Sequence, residues 1–176
     1  MTDTRIAEEI RAHETDASVA GADGRWTLTM RRHLRHSPEE VWPLLTDPER
    51  LVRWSPFVPD RLLDPTGAAT AREGQEEEVY DAEVLVVEPP HELVHRWGDD
   101  QLRWTLAADG EGTLLTLEHT FAERPDASMF AAGWHICFAT LAALERGEPV
   151  SRVIGEEAKP YGWDALRDAY DAALAG

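Results

Sequence analysis

Ser128-Met129-Phe130-Ala131-Ala132-Gly133-Trp134-His135-Ile136-Cys137-Phe138-Ala139-Thr140-Leu141-Ala142-Ala143-Leu144-Glu145-Arg146 is the stretch whose reading decides the fold. Phe130, Trp134, Phe138, Leu141 and Leu144 recur at helical spacing, and Gly147 stands where a helix ends on a C′ glycine. This is one long helix with a wide apolar face. Upstream the period changes to two. Leu93, His95 and Trp97 alternate with polar residues, as do Leu102, Trp104 and Leu106, and then Leu115, Leu117, His119 and Phe121. Gly98-Asp99-Asp100 and Asp109-Gly110-Glu111-Gly112 are turns between these strands. The connections are too short for parallel crossovers, so the strands form an antiparallel meander.

Further out, Glu76 to Glu88 reads as one long strand, with Tyr80, Ala82, Val84 and Val86 on one face. Pro65 to Gly74 is small and flexible with no apolar anchor, Leu62-Leu63 suits a short strand, and Ser55 to Pro59 reads as loop. Trp26, Leu28, Met30, Arg32 and Leu34 mark an early strand. Ser37-Pro38-Glu39-Glu40 then opens a helix, with Ser37 as N-cap, Pro38 at N1 and Glu40 completing a capping box. That helix buries Val41, Leu44 and Leu45, and Asp47-Pro48 ends it and starts a second one. The ends are arms: residues 1–24, with a short helix over Arg5–His13 and a strand over Thr15–Gly21, and residues 148–176. The second arm is a polar linker, Glu148–Lys159, followed by a helix striped with Trp163, Leu166, Tyr170 and Leu174. Residues 25–147 form the domain itself. The terminal stripe has three candidate partners: its own domain, a second subunit in a homodimer, or the cavity mouth as a lid.

The chain of 176 residues carries 34 acids against 17 bases, a net charge of −17. Such a surface repels phosphate backbones and anionic headgroups, which excludes nucleic-acid binding. Cys137 is the only cysteine, so no internal disulfide forms. Met1 to Ala20 has no apolar h-region, and no run approaches the roughly 20 apolar residues of a membrane span. These features describe a soluble, cytoplasmic protein without membrane insertion.

The class is α+β. One large sheet needs its apolar face covered, and the long helix is the element sized to do it. The two short helices after the early strand close the open end of the space between them. The order of local motifs resembles a known family. Arg32-His33-Leu34-Arg35-His36-Ser37-Pro38-Glu39-Glu40-Val41-Trp42, with Leu45-Thr46-Asp47-Pro48-Glu49 and Trp54, is similar to its opening. Val84 to Pro90 and Leu93-Val94-His95-Arg96-Trp97 are similar to its central strands. Gly112 to Phe121 and Gly133-Trp134 are similar to its closing strand and helix. The family is the START/Bet v-like (SRPBCC) superfamily, in the branch of homologues of the activator of the heat-shock-protein-90 ATPase. The resemblance spans roughly Trp26 to Leu144. It implies a helix-grip fold, a curved antiparallel sheet wrapped around a long C-terminal helix with a hydrophobic cavity between. It also implies binding of small apolar molecules, and some relatives are polyketide cyclases or aromatases. The chain departs from the branch at Pro65 to Gln75, which lacks its glycine-rich strand, and in both arms.

The expected ligand contacts follow from side-chain parity and from aromatic content. Seven tryptophans serve one small domain. Trp54, Trp97, Trp104 and Trp134 fall on inward faces or at the mouth, with Phe57, Tyr80, Phe121 and Phe138 near them. His95 and His119 share the inward parity and suit either core hydrogen bonding or proton transfer. Arg32 also faces inward, where it must pair with a strand carboxylate or anchor a polar ligand atom. His135 and Cys137 point apart on their helix and make no dyad. His33, His36 and His91 show no metal-ligand spacing, so no metal, cofactor or catalytic residue is assigned. Glu76-Glu77-Glu78 reads as a solvated strand end. The resulting expectation is a non-enzymatic binder of a small hydrophobic molecule. A cyclase-like enzyme using His95 or His119 is the first alternative. A chaperone co-factor is the second, disfavoured because the chain lacks a second domain to wrap a chaperone.

Overall fold

The computed structural model describes residues 1–74 and 77–176. Its frame is a six-stranded antiparallel sheet built from β1 (Ser18–Ala22), β2 (Arg25–Leu34), β6 (Val84–Glu88), β7 (Glu92–Trp97), β8 (Asp100–Asp109) and β9 (Gly112–Phe121). The spatial order is β1-β2-β9-β8-β7-β6, so chain ends and middle interleave: β2 pairs with β9, and the meander continues outward from there. Leu28, Met30, Leu102, Trp104, Leu115 and Leu117 are buried on its inner face. The long helix α4 (Ala127–Glu145) covers that face. Asp23 and Gly24, at φ 53° and 76°, make the tight turn that joins β1 to β2.

The helices α2 (Pro38–Thr46) and α3 (Pro48–Leu51) follow β2. The capping box of α2 forms as its residues dictate: the Glu40 backbone N–H donates to Ser37 Oγ, and Ser37 N–H donates to Glu40 Oε2. A small second sheet, absent from the sequence reading, consists of β3 (Phe57–Pro59), β4 (Thr70–Glu73) and β5 (Val79–Asp81). The Ser55–Pro59 loop is therefore partly strand. Pro65–Gly74 is anchored after all, because Ala69 and Ala71 are buried. Beside it the Arg61 guanidinium donates to the carbonyls of Leu62, Pro65, Gly67 and Ala68. Leu62-Leu63 is no strand; Leu63 is buried and its N–H donates to the Thr46 carbonyl.

The single long strand expected over Glu76–Glu88 is two. Asp81 accepts the Glu83 N–H at 2.9 Å, the register shifts between Val84 and Val86, and β5 leaves for the second sheet. Glu76 lies outside the described residues; Glu77 and Glu78 are exposed.

The arms wrap the back of α4. Helix α1 (Thr4–Ala12) brings Ile6 and Ile10 against Ile136, Ala139 and Ala143. The segment read as a polar linker adds Val150, Val153 and Ala158 to the same cluster. Its irregular apolar spacing carries no periodic signal, which hid its packing. Helix α5 (Trp163–Leu174) buries Tyr170 and Leu174 on its own domain. Trp163 and Leu166 of the same stripe are half-buried against the domain. Arg124–Glu145 is long and apolar enough to cross a membrane, contrary to the sequence reading, but 78% of its most apolar window is inside the protein. It is a core helix.

Candidate functional site

The space between sheet and α4 is filled by rings. Trp54 and Trp104 meet edge to face at 6.0 Å, Trp104 and Trp134 at 5.4 Å, and Trp134 stacks on Phe138 at 5.8 Å. Phe57 joins His95 at 5.1 Å and Trp97 at 5.6 Å. Trp97 continues to His119 at 5.7 Å, and His119 to Phe121 at 5.5 Å. Nine of the eleven expected contact residues thus form one network. Most of them are its filling, however, not the lining of a void: Trp54, Phe57, Trp104, Phe121 and Phe138 are each under 2% exposed.

Apart from the Trp97 indole N–H, the polar atoms of the ring network are matched to one another. Trp54 Nε1 donates to the Leu44 carbonyl at 2.9 Å. Trp104 Nε1 donates to His95 Nε2 at 3.0 Å, which places the His95 proton on Nδ1, where it meets the Arg96 carbonyl. Trp134 Nε1 donates to His119 Nδ1 at 3.1 Å, so His119 carries its proton on Nε2 and donates to Asp100 Oδ2 at 2.8 Å. Both imidazoles are neutral by geometry. Burial pushes His95 down to about 4 and lowers His119 as well, the latter against the pull of Asp100. With both nitrogens engaged, neither ring is a free acid or base.

Arg32 and Tyr80 stand apart from this network's centre. Tyr80 is half-buried on β5, and its hydroxyl donates to Glu78. Arg32, 5% exposed, lies 5.7 Å over the Phe138 ring and donates from Nη1 to the Arg31 carbonyl. Among the described residues its Nε and Nη2 have no hydrogen-bond partner, although Tyr170, Asp16 and Glu9 lie near enough to favour its charge. Burying such unmatched donors is costly. Arg32→Met is therefore expected to raise the unfolding free energy by about 1–2 kcal/mol in urea denaturation. A loss of similar size would show the guanidinium to be stabilising the fold.

The surface carries several recesses, and the apolar one lies along the flank of α4, a cleft of about 300 Å³. Trp97 and Trp134 are the two expected residues that line it. The rest of its wall comes from Pro56, from Met129, Phe130, Gly133, Ile136 and Cys137 on α4, and from Val153, Ile154, Gly155, Ala158 and Trp163 in the C-terminal arm. Arg152 Nη1 donates to the Ser55 carbonyl at 3.2 Å and ties that arm across. The charged residues at the edge, Glu156 and Lys159, pair with each other at 2.7 Å. Burial pushes the Cys137 thiol up to about 12, so it stays protonated. Gly133 marks the cleft most clearly. A Cβ there would meet nothing within 4 Å. A glycine inside a helix costs about 1 kcal/mol relative to alanine, and here it leaves space. A lone glycine amid bulky helix residues was the readable signal for this cleft. Among the described residues, no three His, Cys, Asp or Glu side chains gather as metal ligands.

An antiparallel sheet gripping one long helix, with an aromatic interior, is a helix-grip fold. Solved structures share that fold. CalU16 from Micromonospora echinospora has 21% identity and a TM-score of 0.69, covering 92% of this chain and 97% of that one. EF2215 from Enterococcus faecalis has 14% identity and a TM-score of 0.72, covering 94% of each chain. DynU16, a protein of the dynemicin biosynthetic locus, has 28% identity and a TM-score of 0.62; the match covers 74% of this chain and 50% of that one. No curated protein matches the sequence significantly. The chain belongs to the Activator of Hsp90 ATPase homolog 1-like family, whose pattern matches residues 35–145, and through it to the SRPBCC superfamily.

Proposed function

We propose that the protein binds a small, largely apolar molecule in the cleft beside α4. The observation that carries this reading is the side-chain-free floor at Gly133 between Trp97, Trp134 and the C-terminal arm. The volume is at the lower end of ligand pockets, which span roughly 300–1,000 Å³, and suits a molecule of two or three fused rings. Affinity would come from apolar surface leaving water, at about 25 cal/mol per Å². Passive binding is favoured over a cyclase-like reaction, because the titratable groups in the wall are the protonated Cys137 and the paired Glu156 and Lys159.

Titration with the neutral fluorophore N-phenyl-1-naphthylamine tests the reading. Saturable binding is expected, with Gly133→Leu weakening it at least about tenfold by filling the floor. Gly133→Ala should bind nearly as well and be more stable by about 1 kcal/mol. Probe binding indifferent to Gly133→Leu, or absent altogether, would sink the proposal.

A further inference from the structure

We infer that Trp97 selects what enters the cleft, its indole N–H receiving a neutral hydrogen-bond acceptor, such as a ketone or ester oxygen, on an otherwise apolar ligand. The inference rests on the cleft reading above and adds the ligand's polar group to it. The indole N–H groups of Trp54, Trp104 and Trp134 each have an acceptor, and Trp42 Nε1 reaches Asp64 at 3.4 Å. Trp97 Nε1 is buried and has none among the described residues. An unmatched donor in an apolar setting is destabilising until an acceptor arrives. Trp97 stands in the cleft wall with Trp134, and unlike its three neighbours it is only half-buried. A ligand that parts it from the surrounding rings therefore brings its own acceptor to the N–H.

Trp97 also borders a second recess, which carries Glu73, Glu78, Asp81, Asp99 and Asp100. Arg152 stands on the other flank of Trp97 with Glu73 and Glu157, so acids still outnumber bases around it; that balance opposes a carboxylate or sulfonate as the acceptor, which leaves neutral oxygens.

Three probes of one shape separate these features: 1-acetonaphthone, 1-ethylnaphthalene and 1-naphthoate, titrated into ¹⁵N-labelled protein while the indole resonances are followed. The ketone is expected to move the Trp97 Hε1 resonance downfield, and the hydrocarbon to bind without that shift. The naphthoate should bind at least about tenfold more weakly than the ketone. Trp97→Phe keeps a ring in place; it should weaken ketone binding about tenfold and hydrocarbon binding less than about twofold. Equal losses for both, a Trp97 resonance unmoved by bound ketone, or naphthoate binding as well as the ketone would overturn the inference and leave the cleft reading standing. Binding of neither neutral probe removes both. Should Trp97→Phe fail to fold, the resonance shift in the unmodified protein decides.

Discussion

Acidification from pH 7 to pH 5 is expected to strip about 2 kcal/mol of unfolding free energy for each of His95 and His135. His95 is fully buried with Trp104 donating to its Nε2, and burial pushes it down to about 4. His135 is equally enclosed behind α4, accepting from the Tyr170 hydroxyl and donating to the Ile10 carbonyl, and is also pushed down to about 4. In the unfolded chain both rings take up a proton near 6.5. Between 6.5 and 4 the unfolded state therefore holds more protons than the native state, and falling pH favours unfolding. The contribution is fully present above 6.5, declines toward 4 and does not change further below it. His119 acts in the same direction. Urea midpoints at pH 7.5, 6.0 and 5.0 measure the slope. His95→Gln, which keeps an acceptor for the Trp104 indole, should flatten it by about one histidine's share. Midpoints that stay level down to pH 5 would mean that the native rings carry charge.

Trp104→Ala is the second large effect, expected to cost about 4 kcal/mol. The side chain is 1% exposed, touches Trp54, Trp134 and Phe138, and lies between sheet and helix. Its loss leaves a cavity and also strands His95 Nε2 without a donor. Trp104→Phe keeps much of the volume and should cost about half as much. Trp104 does not line the cleft, so the phenylalanine variant should bind the neutral probe within about twofold of the parent. Denaturation and probe titration on the same pair of variants separate core from site. A cost for the alanine variant below about 1 kcal/mol would show the interior to be loosely packed.

Parity along a strand is a local property, and it correctly put His95, Trp104, His119 and Phe121 inside. Which of those rings meet each other is not local. Trp104 stands opposite Leu93 on the neighbouring strand, diagonal to His95, and that register emerges only once β7 and β8 are paired. The indole–imidazole bonds that make both histidines neutral were therefore invisible to periodicity. So was the difference between a ring that lines space and a ring that fills it, because that depends on how α4 sits against the sheet. Expectations also failed where chemistry was carried by irregular segments. Val153, Ile154 and Ala158 form a cleft wall out of what reads as a polar linker, and Arg61 holds a loop through carbonyls that no sequence pattern marks.

The apolar back of α4 has a bearing on how this chain can diverge. Ile136, Ala139 and Ala143 are dry because Ile6, Ile10, Val150, Val153 and Ala158 cover them, and those five residues all lie outside the family-matched segment 35–145. A relative that lost either arm would carry an aggregation-prone stripe on its surface. Extensions and helix must therefore be inherited together, and armless members of the family should carry polar side chains at the positions equivalent to 136, 139 and 143.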